Sequence, residues 1–221
     1  MPKASSAAPG RWRRLGKAGV RLDGEKIIYI DPVDVESGAP KADVILLTHG
    51  HEGHFSPEDV AKAAGPQTIV AGPAACIGIF RLNQLPFEAG ESRTILGFAV
   101  TATPAYGLDN SRHPKSAAGL GYLIDLGGMR IFHAGDTAAV PELRALKADA
   151  GFLPVGPGLM SVREASALAR DMGLRAAAPT HAGPGSKEEQ DFFAEIESMG
   201  IAAWAAADIF SACGLTAARG G

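Results

Sequence analysis

Three of the six histidines fall within six residues, as His49, His51 and His54 in the run Thr48-His49-Gly50-His51-Glu52-Gly53-His54. Imidazole is the commonest metal ligand near neutral pH, and packing alone gives little reason to crowd such rings together. Alternate side chains of an extended segment share one side, so His49 and His51 can grip one ion while His54, past the turn, is displaced toward a second. The bland alternative is a polar surface loop rich in histidine. Asp136 in His133-Ala134-Gly135-Asp136-Thr137 and His181 in Pro179-Thr180-His181-Ala182-Gly183 add a carboxylate able to bridge two cations and a further imidazole. Such an N/O donor set without thiolates suits Zn2+, one ion or two, with Mn2+ and Fe2+ as alternatives, and its chemistry is metal-assisted hydrolysis. An Asp in Gly-Asp-Thr otherwise serves as a turn residue or helix cap. His133 is expected to face the interior or to support a ligand rather than to hold metal.

These residues act together only if the fold carries them to one edge. The apolar run 44–47 reads as a strand buried on both faces, delivering the chain into the histidine loop. Ser56-Pro57-Glu58-Asp59 then opens a helix, with Ser as N-cap, Pro at the first helical position and acids in the first turn. Further strands are expected at 20–22, 27–30 and 68–71, with Asp23-Gly24 turning the first pair, and a short helix opens at Pro73. A strand-rich stretch covers 94–96, 99–103, 121–125 and 129–132, with Gly127-Gly128 as a hairpin turn. Alternation follows: helix 141–146, strand 150–154, helix 162–172 from the Ser161/Glu164 capping box, strand 175–178, helix 187–199, strand 202–206. Asp136 and His181, like the histidine loop, thus follow strand ends, where α/β sheets place their ligands. Hairpins and strand–helix alternation in both halves favour an α/β fold with two central mixed sheets and helices outside, in a single domain over 11–221 behind a small, polar leader, 1–10.

Composition narrows the function classes. At 221 residues and 46% apolar, the chain can bury a sizeable core. Twenty-one Lys+Arg against 24 Asp+Glu give a net charge of -3, which does not suit a nucleic-acid binder. Arg11, Arg13 and Arg14 around Trp12 read as a solvated edge rather than a phosphate patch. Cys76 and Cys213 form no Cys-x-x-Cys pair, and neither an apolar secretion segment nor a membrane-length apolar run is present. The expected setting is the cytoplasm, and the expected partner is a small-molecule substrate, with a homo-oligomer left open.

Asp31-Pro32, the histidine loop, Gly135-Asp136-Thr137 and Thr180-His181 together resemble the metallo-β-lactamase fold superfamily, in the branch of small cytoplasmic metal-dependent hydrolases related to phosphorylated ascorbate lactonases. The likeness runs from Trp12 to about His181 and takes in His113-Pro114-Lys115 and Leu153-Pro154-Val155-Gly156. It implies an αββα sandwich with a dinuclear site at the sheet edges: His49 and His51 for one ion, His54 and His181 for the other, Asp136 for either or both.

Departures from the family pattern cluster at this site. The family loop is His-x-His-x-Asp-His, and Gly53 occupies the Asp position, removing a ligand of the second ion. Lys17 replaces a histidine in Leu15-Gly16-Lys17-Ala18, and Ala105-Tyr106-Gly107 offers only Gly107 where relatives carry a metal-side His or Asn. His113 can complete a metal site, meet the substrate, or be a turn residue before Pro114, and with Asp136 it is the catalytic candidate. Lys17, Tyr106 and Lys115 are candidate contacts to an anionic substrate, against the ordinary reading of solvated lysines. The leading expectation is a zinc hydrolase of an ester, lactone or phosphoester with a degenerate second site. The alternative is a metal-poor member of the fold that binds a small molecule or protein without turnover.

Overall fold

The computed structural model describes residues 11–108 and 112–204; the expected leader 1–10, Cys213 and the end of the strand expected at 202–206 lie outside the described residues. The first sheet begins with β1 (Arg11–Leu15), β2 (Gly19–Asp23) and β3 (Ile27–Ile30), paired antiparallel, and continues in parallel through β4 (Ala42–Leu46), β5 (Ala64–Gly72) and β6 (Asn83–Pro86). Crossovers α1 (Pro57–Ala63) and α2 (Ala74–Ile77) cover its outer face. The second sheet is an antiparallel run of β7 (Ser92–Ile95), β8 (Phe98–Ala105), β9 (Gly119–Asp125) and β10 (Arg130–His133), extended in parallel by β11 (Ala150–Pro154), β12 (Ala176–Thr180) and β13 (Ala202–Ala203). Its connections run through α3 (Pro141–Arg144), α4 (Val162–Met172) and α5 (Lys187–Ser198).

Burial explains the layering. Val44 and Leu46 join Trp12, Val100, Tyr122 and Phe152 in a core between the sheets. Ile45 and Leu47, one residue out of phase, pack with Val60, Val70 and Ile77 beneath the helices on the other face. A strand buried on both sides must be apolar throughout, which is why the run at β4 shows no alternation. Phe132, Leu153, Leu168 and Phe192 form the matching layer between the second sheet and its helices. The architecture is an αββα sandwich.

Local signals position the elements. Ser56 accepts the Asp59 N–H at the start of α1, and Ser161 with Glu164 closes a reciprocal capping box on α4. β6 gave no sequence signal because it is a polar edge strand, Asn-Gln-Leu-Pro, held by its pairing with β5. α3 ends at Arg144 rather than 146, and β12 extends to Thr180, so His181 follows it directly.

One edge of the sandwich is stitched across the sheets. The Tyr122 hydroxyl donates to Leu47 O at 2.6 Å, and the Leu120 N–H donates to Thr48 O at 2.9 Å. Gly135 passes so close to this seam, at φ +62°, that a Cβ there would stand 2.4 Å from Leu120 O, so only glycine fits ahead of Asp136. Among the described residues no helix is long and apolar enough to cross a membrane.

Candidate metal centre

Asp31 follows β3, the histidine loop follows β4, Asp136 follows β10 and His181 follows β12, all at the stitched edge. Asp31 is wholly buried with φ +47°. Its Oδ1 accepts the Thr48 N–H at 2.7 Å, and its Oδ2 accepts the Thr48 hydroxyl at 2.5 Å and Nδ1–H of His54 at 2.7 Å. Because Thr48 spends its single hydroxyl proton on Asp31, its oxygen receives Nδ1–H of His49, at 2.9 Å. One carboxylate therefore fixes the orientation of both rings, committing each Nδ1 to a donor bond and turning each Nε2 inward, where a cation would take the place of any proton on it.

Those inward atoms meet Asp136. Oδ1 of Asp136 lies 2.7 Å from His181 Nε2 and 3.1 Å from His54 Nε2, while Oδ2 lies 3.4 Å from His113 Nε2 and 3.9 Å from His49 Nε2. His51 turns its Nδ1 toward His113 Nε2, 3.0 Å away. The donor atoms of His49, His51 and His113 form one group and those of His54, Asp136 and His181 another, each within 4.8 Å; a third, Asp31, His49 and His54, is as close, but both Asp31 oxygens are already engaged by Thr48 and His54. Despite these short approaches, Asp136 Oδ1 and His49 Nε2 are buried without a hydrogen-bond partner. His54 Nε2 also lies 3.1 Å from His181 Nε2, and imidazole nitrogens facing one another beside unpartnered buried acceptors are costly alone and suit a cation between them. The residues fit the metal that the sequence implied.

Electrostatics follows from the same packing. Burial opposes charge on His54, but Asp31 and Asp136 outweigh it and raise the imidazole to about 10. Burial and the neighbouring His54 charge push His49 down to about 4, against the pull of Asp31 and Asp136. Asp136 is disfavoured by burial, yet His181 and His54 hold its carboxyl far below the usual carboxylate range.

The supporting residues differ from sequence expectation. Arg14, read as part of a solvated edge, bends inward from β1: Nη1 donates to Ala182 O at 2.9 Å, Nη2 to Pro179 O at 2.5 Å, and Glu189 Oε1 sits 3.1 Å away. It brackets His181, which adopts φ +66° and donates its N–H to Lys17 O at 2.8 Å. Period-two alternation places Arg14 on the same side as buried Trp12, a signal the sequence contained. His133 donates Nε2–H to Ala18 O at 2.9 Å and accepts the Gly135 N–H on Nδ1 at 3.2 Å, tying the β1–β2 turn to the Asp136 loop.

The loop after β8 closes through the Gly107 N–H on His113 O at 2.7 Å, which brings His113 beside His51. Tyr106 and Lys115, the candidate substrate contacts, both meet Glu142: Tyr106 Oη at 3.0 Å and Lys115 Nζ at 2.9 Å, with the ammonium 4.7 Å over the tyrosine ring. Lys17 is exposed, its backbone against His181. Gly53, at φ +94°, has open space where a Cβ would stand, and Glu52 beside it is exposed and joins neither donor group.

Comparison with known proteins agrees with this geometry. The beta-lactamase superfamily domain matches residues 15–181. A UPF0173 metal-dependent hydrolase of Methanosphaerula palustris is 30% identical over 195 residues, covering 81% of this chain and 88% of the relative. The UPF0173 metal-dependent hydrolase YtkL of Bacillus subtilis is 31% identical over 191 residues, covering 80% and 82%. A crystal structure from Parabacteroides distasonis superposes with TM-score 0.76 at 26% identity, covering 88% of this chain and 96% of that one. The metallo hydrolase Igni18 of Ignicoccus hospitalis shares the fold, with TM-score 0.71 at 17% identity over 89% and 94% of the two chains.

Proposed function

Since the chain belongs to the beta-lactamase superfamily, we propose that it is a metal-dependent hydrolase of an ester, lactone or phosphoester bond in a small molecule, with a strong first metal position and a weakened second. The observation that carries this reading is the divided carboxylate of Asp136, one oxygen beside His54 and His181 and the other beside His113 and His49. In this reading His49, His51 and His113 would hold the first ion with Asp136, and His54 and His181 would hold the second with the same carboxylate. A bound divalent cation supplies an activated water at neutral pH and polarises the oxygen of the bond under attack.

The chain's own groups do the rest. Asp31 and Thr48 fix the ring orientations beforehand, so the donors need no reorganisation when an ion arrives. His113 is a ligand here rather than a proton carrier, because its Nε2 is aimed at His51 and Asp136. Glu142 engages Tyr106 and Lys115, so neither is free to meet a substrate anion, and Lys17, exposed and joined to His181 through its backbone, is the remaining candidate for that contact. UPF0173 relatives named metal-dependent hydrolases support the activity class.

The test is elemental analysis of untagged protein, purified without added zinc, followed by turnover on a panel of activated esters, lactones and phosphodiesters. The expected result is about one retained ion per chain and turnover that chelation abolishes. No metal even after zinc reconstitution would favour a binding module on the same fold, and so would full retention without hydrolysis of any substrate.

A further inference from the structure

The second donor group, His54, Asp136 and His181, holds a single carboxylate, and Gly53 stands where the family resemblance implies another. Two divalent ions bring four positive charges, and Asp136 is the only carboxylate in either histidine group that is not already saturated by neighbours, among the described residues. Asp31 stands near but uses both oxygens on Thr48 and His54. Glu52 is exposed and outside both groups. His54, Asp136 and His181 supply three donors, and a divalent ion in such a set keeps at least one position for an exogenous ligand. The space beside Gly53 is open, with nothing within 4 Å of a built Cβ, so no side chain of a neighbouring element fills the position.

We propose that the second ion is held only together with a small oxyanion, the carboxylate or phosphoryl group of the substrate, which supplies the ligand that Gly53 cannot. The inference rests on the reading of His54, Asp136 and His181 as a metal group. It makes the substrate class anionic and makes the complete site a product of substrate binding. Each ligand raises the affinity of the other by the same factor, so the anion recruits the ion and the ion recruits the anion.

The experiment uses the full chain, untagged and stripped of metal, titrated calorimetrically with Zn2+ in a non-coordinating buffer: alone, with acetate, and with methylphosphonate. The first equivalent should bind tightly in all three. The second should tighten at least about tenfold with an oxyanion, the scale on which a single supporting carboxylate acts on metal affinity. The stronger of the acetate and methylphosphonate arms identifies the carboxylate or phosphoryl source. Gly53→Asp should bind the second ion without oxyanion and lose most of the enhancement. Because φ +94° strains any side chain there, His181→Ala serves as the independent variant: it should keep the first equivalent and lose the oxyanion-dependent one. A first ion that binds normally, with a second indifferent to both anions, overturns this inference and leaves the proposed hydrolase site standing. Absence of any bound zinc overturns both.

Discussion

Oδ2 of Asp31 lies 2.7 Å from Nδ1 of His54, with both side chains buried, and so turns the opposite nitrogen of that ring onto Asp136. The same carboxylate orients His49 through Thr48. Asp31 thus acts on both donor groups without facing either ion position. Asp31→Asn keeps the shape, tolerates the positive φ, and puts an N–H where an acceptor is needed. Zinc affinity should fall by about 10- to 100-fold, measured by competition with a chromophoric chelator. An unchanged affinity would show that Asp31 does not orient the metal-binding rings.

The histidine loop, Asp136 and His181 were legible because each follows a strand whose apolar pattern was plain. The role of Asp31 was not, since a lone Asp-Pro after a strand reads as a turn, and only the fold shows that Thr48 returns to it. His113 was ambiguous because no strand ends at it; the Gly107–His113 loop closure that delivers it is a tertiary contact. Arg14 alternates in phase with Trp12 and so points inward, but Arg11 and Arg13 beside it give the segment the look of a solvated charged edge. β6 lacks any apolar pattern, and only its place beside β5 makes it a strand.

Arg14→Met retains the apolar stem and removes the bonds to Pro179 and Ala182 on either side of His181. The loop should relax from the left-handed conformation that His181 adopts, weakening second-ion binding about tenfold while sparing the first. Calorimetric titration separates the two, and equal weakening of both ions would contradict the assignment.

Glu142→Ala frees Tyr106 and Lys115 on the loop that delivers His113. Glu142 and Lys115 are exposed and Tyr106 is half-buried, so water screens the network and first-ion affinity should fall less than about fivefold. A larger loss by the same titration would mean that the loop, rather than the buried donors, governs the site.

Asp59 anchors the turn after Asp31 by accepting the Asp34 and Val35 N–H groups at 3.0 and 3.2 Å. Burial disfavours its charge, but Lys62, Ser56 and the Asp34 N–H prevail and lower it from the ordinary 3.8. Its contribution is therefore full above about pH 4 and declines as the pH falls through the lowered folded-state value. Asp59→Asn should cost about 1–2 kcal/mol in urea unfolding at pH 7, and the gap from wild type should narrow toward pH 3. A gap independent of pH would show that shape, not charge, does the anchoring.

In the proposed site Asp136 divides two unequal metal positions. Diffraction from zinc-soaked crystals, grown without carboxylate or phosphate and measured on both sides of the zinc absorption edge, tests it directly. A strong anomalous peak is expected among His49, His51, His113 and Asp136 Oδ2, with a weak one or none among His54, His181 and Asp136 Oδ1. Two peaks of equal height, or a single peak at the second group, would contradict it.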